Sequence, residues 1–286
     1  ELDLLTNVFS TWNTDSEISN FNRQKTTKFI DVSDHLLKVV IQSKIIFEYS
    51  SKHFDPTLKP LIDLWGFSSI KQKYRIPSEE EIDRISAYIG MDKLVVNEKD
   101  KQIKKLHPNL TLDFSAIAKG YAVDYISNII DIFYSKRFMV EIGGEVSSKT
   151  PRRSKYWTIG ISRPDYNNKT NKLFTTVQLR DNGLATSGDY RNFFIENNEV
   201  YSHIFDPLEK MPVKNNIASV TVIAQDCLTA DALATAVLSL GKDQSLALIE
   251  SLEDVEVLII ERSGDDYESY FSTGFSNYNK NIEELM

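Results

Sequence analysis

Asp231 and Thr235 stand four residues apart in the run Ala230-Asp231-Ala232-Leu233-Ala234-Thr235-Ala236. On a helix this spacing projects a carboxylate and a hydroxyl from one face, about one turn apart. Two oxygens so placed suit a hard cation such as Mg²⁺, which takes oxygen ligands, keeps several waters and is commonly shared with substrate phosphates. The same pair can equally be a solvated Asp and a Thr bonding back to a carbonyl, and spacing does not choose between them. A second group lies upstream, where Thr111-Leu112-Asp113-Phe114-Ser115-Ala116-Ile117-Ala118-Lys119-Gly120 reads as a strand delivering Asp113 to the mouth of a helix with Lys119 one turn inside. Free amides, the positive end of the helix dipole and an ammonium on one surface suit a phosphorylated ligand. Ser115 can cap that helix, and a capped helix with an early lysine is also ordinary scaffold.

Three further segments hold residue types fit for a site. Trp65-Gly66-Phe67 offers rings that stack on a flat heterocycle and a glycine that lets backbone approach, though such a triplet also makes plain core. Thr186-Ser187-Gly188-Asp189-Tyr190 reads as a strand ending in a glycine turn, where hydroxyls and amides can bind phosphate or position an acceptor, or simply end a hairpin. His203 precedes Phe205-Asp206-Pro207; imidazole is suited to removing a proton from an attacking hydroxyl near neutral pH, and Asp206 fixes the turn. Gly143-Gly144-Glu145 reads as a turn, and Arg152, Arg153 and Lys155 as a solvated basic loop.

The elements that hold these residues follow from periodicity. Leu2, Leu5, Val8 and Trp12 recur at helical spacing, a second helix runs from Ser33 to about Ser50, and Ser78 with Glu81 boxes the start of a third that Gly90 stops. Short strands are expected at 94–96, 102–106 and 110–114. A helix over about 115–133 places Ile117, Tyr121, Tyr125, Ile129 and Phe133 on one stripe facing a sheet. Strands at 138–142, 156–162, 173–179, 184–186 and 217–224 then lead to a late helix over 228–240, capped by Asp226 and ended by Gly241. A helix at 243–251 and strands at 255–261 and 267–272 complete the chain. Sequential strands on short turns give a mainly antiparallel sheet flanked by helices, an α+β class. No repeat or linker divides residues 1–286, so one domain is expected, divisible at most into two lobes.

Composition narrows the function. With 41% hydrophobic and 26% charged residues among 286, the chain can bury a proper core. A net charge of -8 argues against nucleic acid as the main partner. Cys227 is the only cysteine, which excludes an intramolecular disulfide and a cysteine-rich metal site. No apolar run approaches the roughly 18 residues of a membrane span, and Glu1 opens an amphipathic helix without a signal sequence, so the chain reads as a mature or trimmed form.

Together with the segment around Asp113, five blocks resemble the ApbE family of flavin transferases in order and character: Asp55-Pro56-Thr57-Leu58, Leu64-Trp65-Gly66-Phe67, Gly183 to Asn192, His203 to Pro207, and Ala230 to Ala236. The resemblance runs from the Asp15 to Asn22 block to about Gly241. It implies an α+β architecture related to the T-fold. It also implies Mg²⁺ held by Asp231 and Thr235 with main-chain oxygens of Ala116 and Ala234. FAD would be contacted by Trp12, Trp65, Gly66, Phe67, Asp113, Lys119, Thr186, Ser187, Gly188, His203 and Phe205, with His203, Lys119 and Asp231 in catalytic roles.

The implied activity is that of an FAD:protein FMN transferase, in which a Ser or Thr hydroxyl of an acceptor flavoprotein attacks the FMN phosphorus, AMP leaves and the flavin becomes covalently attached. FAD pyrophosphatase activity and a non-catalytic flavin-binding surface protein are the alternatives. Acceptors in the family are subunits of membrane redox complexes or secreted flavoproteins, which implies an extracytoplasmic location, periplasmic or at the cell surface, with a lipid anchor in a full-length form. Three departures stand out: the family's opening Met-Gly-Thr-like strand is absent, Glu145 replaces a shorter acid, and Leu208-Glu209-Lys210-Met211-Pro212 replaces a glycine turn.

Overall fold

Capping side chains set where four of the described helices begin. In the computed structural model, which describes residues 1–67, 74–134, 136–151, 154–165, 172–189, 193–196, 199–264 and 266–279, the chain divides into two compact units. These are Glu1–Ala118 with Phe205–Pro212, and Lys119–Ile204 with Val213–Met286. The first opens with α1 (Leu2–Phe9), which stops at Ser10; Trp12 therefore falls beyond the helical stripe and is 76% exposed. Ser16 accepts from Ser19 N to open α2 (Glu17–Arg23), too short for its periodicity to be read in advance. β1 (Phe29–Asp31) is followed by α3 (Asp34–Tyr49), capped by Ser33, and by α4 (Lys59–Leu64). The expected capping box of Ser78 and Glu81 opens α5 (Glu79–Ser86). β2 (Leu94–Asn97) and β3 (Gln102–Lys105) complete an antiparallel sheet in the order β1-β3-β2.

The stretch 110–114 was expected as a strand but joins no ladder. Asn22 Nδ2 donates to the Leu112 carbonyl at 2.8 Å, Leu112 N donates to Asn22 Oδ1 at 2.8 Å, and Asp113 N donates to the Pro56 carbonyl at 2.8 Å. A side-chain amide thus satisfies the backbone that a neighbouring strand would otherwise pair.

In the second unit α6 (Ala118–Phe133) packs Val123, Ile126 and Ile130 with Val140 and Cys227. The expected stripe through Ile129 to Phe133 is corrected: the buried face turns away from it, and Phe133 is 81% exposed. The strands are β4 (Phe138–Ile142), β5 (Glu145–Lys149), β6 (Trp157–Ser162), β7 (Leu173–Leu179), β8 (Gly183–Gly188), β9 (Phe193–Glu196) and β10 (Glu199–Ser202). The short pair β11 (Phe205–Asp206) and β12 (Met211–Pro212) belongs to the first unit. Then come β13 (Ile217–Ala224), α7 (Cys227–Leu240), α8 (Lys242–Glu250), β14 (Glu256–Ser263) and β15 (Asp266–Phe271).

Six strands form one antiparallel sheet in the order β15-β14-β13-β8-β5-β4. α7 lies against β8 and β13, while Ile161, Val177 and Leu179 of the β6–β7 ribbon join Leu184, Ile223 and Leu258 in a separate core cluster. β13 is buried at all eight positions, the pattern of a strand covered on both faces, and its sequence accordingly runs apolar instead of alternating. The fold is α+β, as expected from the sequence. Among the described residues no helix is long and apolar enough to cross a membrane.

Candidate active site

Two carboxylates organise the start of α7. Asp226 accepts from Thr229 N at 2.7 Å, and Asp124 of α6 accepts from Cys227 N at 3.0 Å and Leu228 N at 2.8 Å, so protein groups already occupy the first amides of this helix. Cys227 is buried there, its thiol 3.4 Å from the Leu184 carbonyl and pushed well up by burial and by Asp124.

Asp231 lies one turn further on and is 3% exposed. Its Oδ2 accepts from Gly120 N at 2.9 Å. That approach requires glycine, because a Cβ at position 120 would sit 2.4 Å from the Cys227 carbonyl oxygen and 2.8 Å from Asp231 Cβ. Beside Gly120, Lys119 pairs with Oε1 of Glu145, a residue only 1% exposed whose Oε2 is buried without a hydrogen-bond partner. Burial pushes the Asp231 carboxyl up to about 7; Glu145 and Asp124 act in the same direction, and Lys119 and the Gly120 amide oppose it. Three carboxylates around one ammonium leave a surplus of two negative charges when all are ionised.

Thr235, one turn beyond Asp231, has its Oγ1 3.3 Å from Ser187 Oγ of β8. The neighbouring Thr186 points the other way, with its Oγ1 2.9 Å from Thr221 Oγ1. Asp189, just past Gly188, makes a two-pronged pair with Arg262 of β14. Burial pushes its carboxyl up, while Arg262 and His203 pull it down, which puts the half-buried His203 imidazole within electrostatic reach of this pair. Ala234 is wholly buried in mid-helix.

The remaining candidates belong to the first unit. Asp113 closes a turn on itself: its Oδ1 accepts from Ser115 N at 2.9 Å and from the Ser115 hydroxyl. Ser115 is therefore a donor to Asp113, not the expected cap, and α6 starts only at Ala118; Ala116 is half-buried in the intervening turn. Near Asp113, half-buried Asp55 accepts from Thr57 N at 2.8 Å and Thr57 Oγ1 at 2.7 Å, and Gly90 N donates to the same hydroxyl at 2.6 Å. Burial raises the Asp55 carboxyl to about 6 against the Thr57 hydrogen bonds.

Trp65 is 0% exposed and meets Phe205 edge-on at 6.0 Å, as does Phe67. Gly66, at φ +87, turns the chain out of α4, which explains the glycine between two aromatics. Asp206 Oδ1 accepts from Leu208 N at 2.8 Å and Glu209 N at 3.1 Å, fixing its turn as expected, and Lys210 at φ +58 occupies the left-handed position that glycine favours. Tyr190, Arg191, Asn192, Arg152 and Arg153 lie outside the described residues.

Sequence reasoning missed two participants. Glu145 was taken into a turn, although Gly143 and Gly144 make the turn and Glu145 opens β5. Asp124 carries no signal in the sequence that separates it from the other polar residues of α6, such as Asn128 and Asp131.

A buried helix-borne acid and a hydroxyl one turn on, beside a paired lysine on this α+β sheet, form the candidate active site. The ApbE family profile matches residues 1–259, and the chain belongs to the ApbE family. It is 33% identical to the FAD:protein FMN transferase of Vibrio cholerae over 278 residues, covering 97% of this chain and 82% of that protein. The FAD:protein FMN transferase of Escherichia coli is 31% identical, with 97% and 79% covered. Among solved structures, the flavin transferase ApbE from Vibrio cholerae superposes with a TM-score of 0.84 at 32% identity, covering 97% of this chain and 87% of that one. The apo flavinyl transferase ApbE of Pseudomonas stutzeri gives 0.85 at 32% identity, covering 96% and 84%.

Proposed function

We propose that this protein is an Mg²⁺-dependent FAD:protein FMN transferase acting on a Ser or Thr hydroxyl of an acceptor flavoprotein. The observation behind this reading is that buried Asp231 lies on one face of α7 with Thr235, beside Lys119 and an unsatisfied Glu145 oxygen. Among the described residues no three His, Cys, Asp or Glu side chains converge to hold a metal, so substrate phosphate and water would complete the shell of a bound Mg²⁺. Asp231 and Thr235 would hold Mg²⁺, assisted by main-chain oxygens of Ala116 and Ala234. A bound Mg²⁺ supplies charge neutralisation to a diphosphate and polarises its oxygens.

The chain's own residues do the rest. Lys119 exchanges part of its pairing with Glu145 for the phosphate of the leaving AMP, where negative charge gathers. His203 takes the proton of the attacking hydroxyl as the new P–O bond to FMN forms and the diphosphate P–O bond breaks. Ser187 sits near the end of β8 beside Thr235, where its hydroxyl can orient phosphate oxygens, whereas the Thr186 hydroxyl is turned to Thr221. Trp12, Trp65, Gly66, Phe67, Asp113, Gly188 and Phe205 are the flavin contacts of this proposal, and an extracytoplasmic location with acceptors in membrane redox complexes belongs to it as well.

Incubation with FAD, Mg²⁺ and a Ser/Thr-containing acceptor, followed by in-gel flavin fluorescence after denaturation, tests the proposal. A fluorescent acceptor band that disappears with EDTA is expected. Free FMN and AMP with an unlabelled acceptor would mean hydrolysis, and tight FAD binding without either product would mean a carrier.

A further inference from the structure

The C-terminal end of α6 is exposed where a sheet-packing helix would ordinarily finish in the core. Ile132 is 76% and Phe133 81% exposed, followed by exposed Tyr134. Beyond them Arg137 donates to the Lys155 carbonyl at 3.0 Å and the Tyr156 carbonyl at 3.1 Å, with its guanidinium 3.6 Å from the Trp157 ring centroid. Arg180 lies over Tyr156 at 4.5 Å and donates to the Pro151 and Ser154 carbonyls, and Lys136 stands over Tyr134 at 5.4 Å. These contacts join the helix tip and the 154–157 segment into one surface within the second unit.

Four cations gather on this surface, and among the described residues none of Lys136, Arg137, Lys155 and Arg180 makes an ion pair. The two arginines spend hydrogen bonds on neutral carbonyls and keep their charge. Asp131 and Asp181 are the flanking acids, and Asp181 is engaged by Thr150 N at 2.8 Å.

We infer that this face docks on an anionic phospholipid surface. Ile132 and Phe133 stand largely in solvent beside these cations, an arrangement that suits an acyl boundary beneath anionic headgroups. Tyrosine and tryptophan rings beside lysine and arginine are the side chains that settle at the water–lipid boundary. The opposing net charge of -8 does not prevent this, because at physiological ionic strength exposed charges beyond about 8 Å are largely screened and the local cations dominate.

Co-sedimentation of the full chain with phosphatidylcholine vesicles, with and without phosphatidylglycerol, tests the inference. Binding is expected only with phosphatidylglycerol and should fall with added salt. Both Ile132→Ser/Phe133→Ser and Lys136→Glu/Lys155→Glu should reduce the bound fraction about fivefold or more, with unchanged thermal midpoints because all four residues are exposed. Absence of binding to the anionic vesicles, equal binding to neutral ones, or full binding by folded variants would overturn it. Failure on vesicles with variant-sensitive binding to polyglutamate would also overturn it and assign the face to an acidic protein.

Discussion

Gly120 gives its amide to the Asp231 carboxylate at 2.9 Å from a position where any side chain would collide with the Cys227 carbonyl. Packing of α6 on α7 and the setting of the buried acid are therefore one contact. Gly120→Ala should push the helices apart, costing about 1–3 kcal/mol from overpacking and reducing FMN transfer with it. Thermal unfolding and transfer assays on the same preparation check this; a variant as stable and active as the parent would remove the argument.

Asp231→Asn separates chemistry from folding. A neutral amide is easier to bury than a carboxylate, so the thermal midpoint should hold or rise. Transfer should nevertheless fall by about 10²-fold or more, the scale seen when a key electrostatic group is removed. Undiminished turnover would contradict the role given to this residue.

Lys119 and Glu145 form a second test, because one partner is half exposed and the other buried. Lys119→Met strands a buried carboxylate and should destabilise by about 1–3 kcal/mol, below the range for fully buried pairs because solvent screens the lysine. Glu145→Gln should cost less, and the double variant should recover most of the loss. Chemical denaturation of all four proteins measures the coupling, and additive effects would show that the pair is not coupled.

Asp55 and Asp231 together set a pH dependence of stability. The Asp55 carboxyl titrates near 3.8 in the unfolded chain and at about 6 when folded, and that of Asp231 near 3.8 and at about 7. Between those values the folded state retains protons that the unfolded state has released, so stability falls as pH rises from about 4, the Asp55 part ending at about 6 and the Asp231 part at about 7. The Asp55 gap corresponds to about 3 kcal/mol. Asp55→Asn keeps an acceptor for Thr57 and should remove the Asp55 share of this slope while the Asp231 share remains, as denaturation midpoints measured from about pH 4 to about 7 would report.

Much of this architecture is legible in the chain because local signals agree with it. The Ser33, Ser78 and Asp226 caps, Gly241, and the strands 138–142, 173–179 and 217–224 fall where the residues place them. The stretch 110–114 misleads because its partners are an Asn side chain and a loop carbonyl, which no periodicity announces. Glu145 misleads because a glycine pair draws attention to the turn and away from the strand it opens. Asp231, Thr235 and Lys119 are candidates that type and spacing suggest; the burial of Asp231 and the Lys119–Glu145 pairing depend on distant segments meeting.

Cys227 is the sole thiol, sealed at the root of α7 with its ionisation suppressed. Alkylating reagents should pass over the native protein and modify it only as the helix detaches, making this residue a built-in reporter of core opening. The same quietness leaves the surface free for a single introduced cysteine, so a fluorophore or spin label can be placed at one chosen site without first engineering a thiol away.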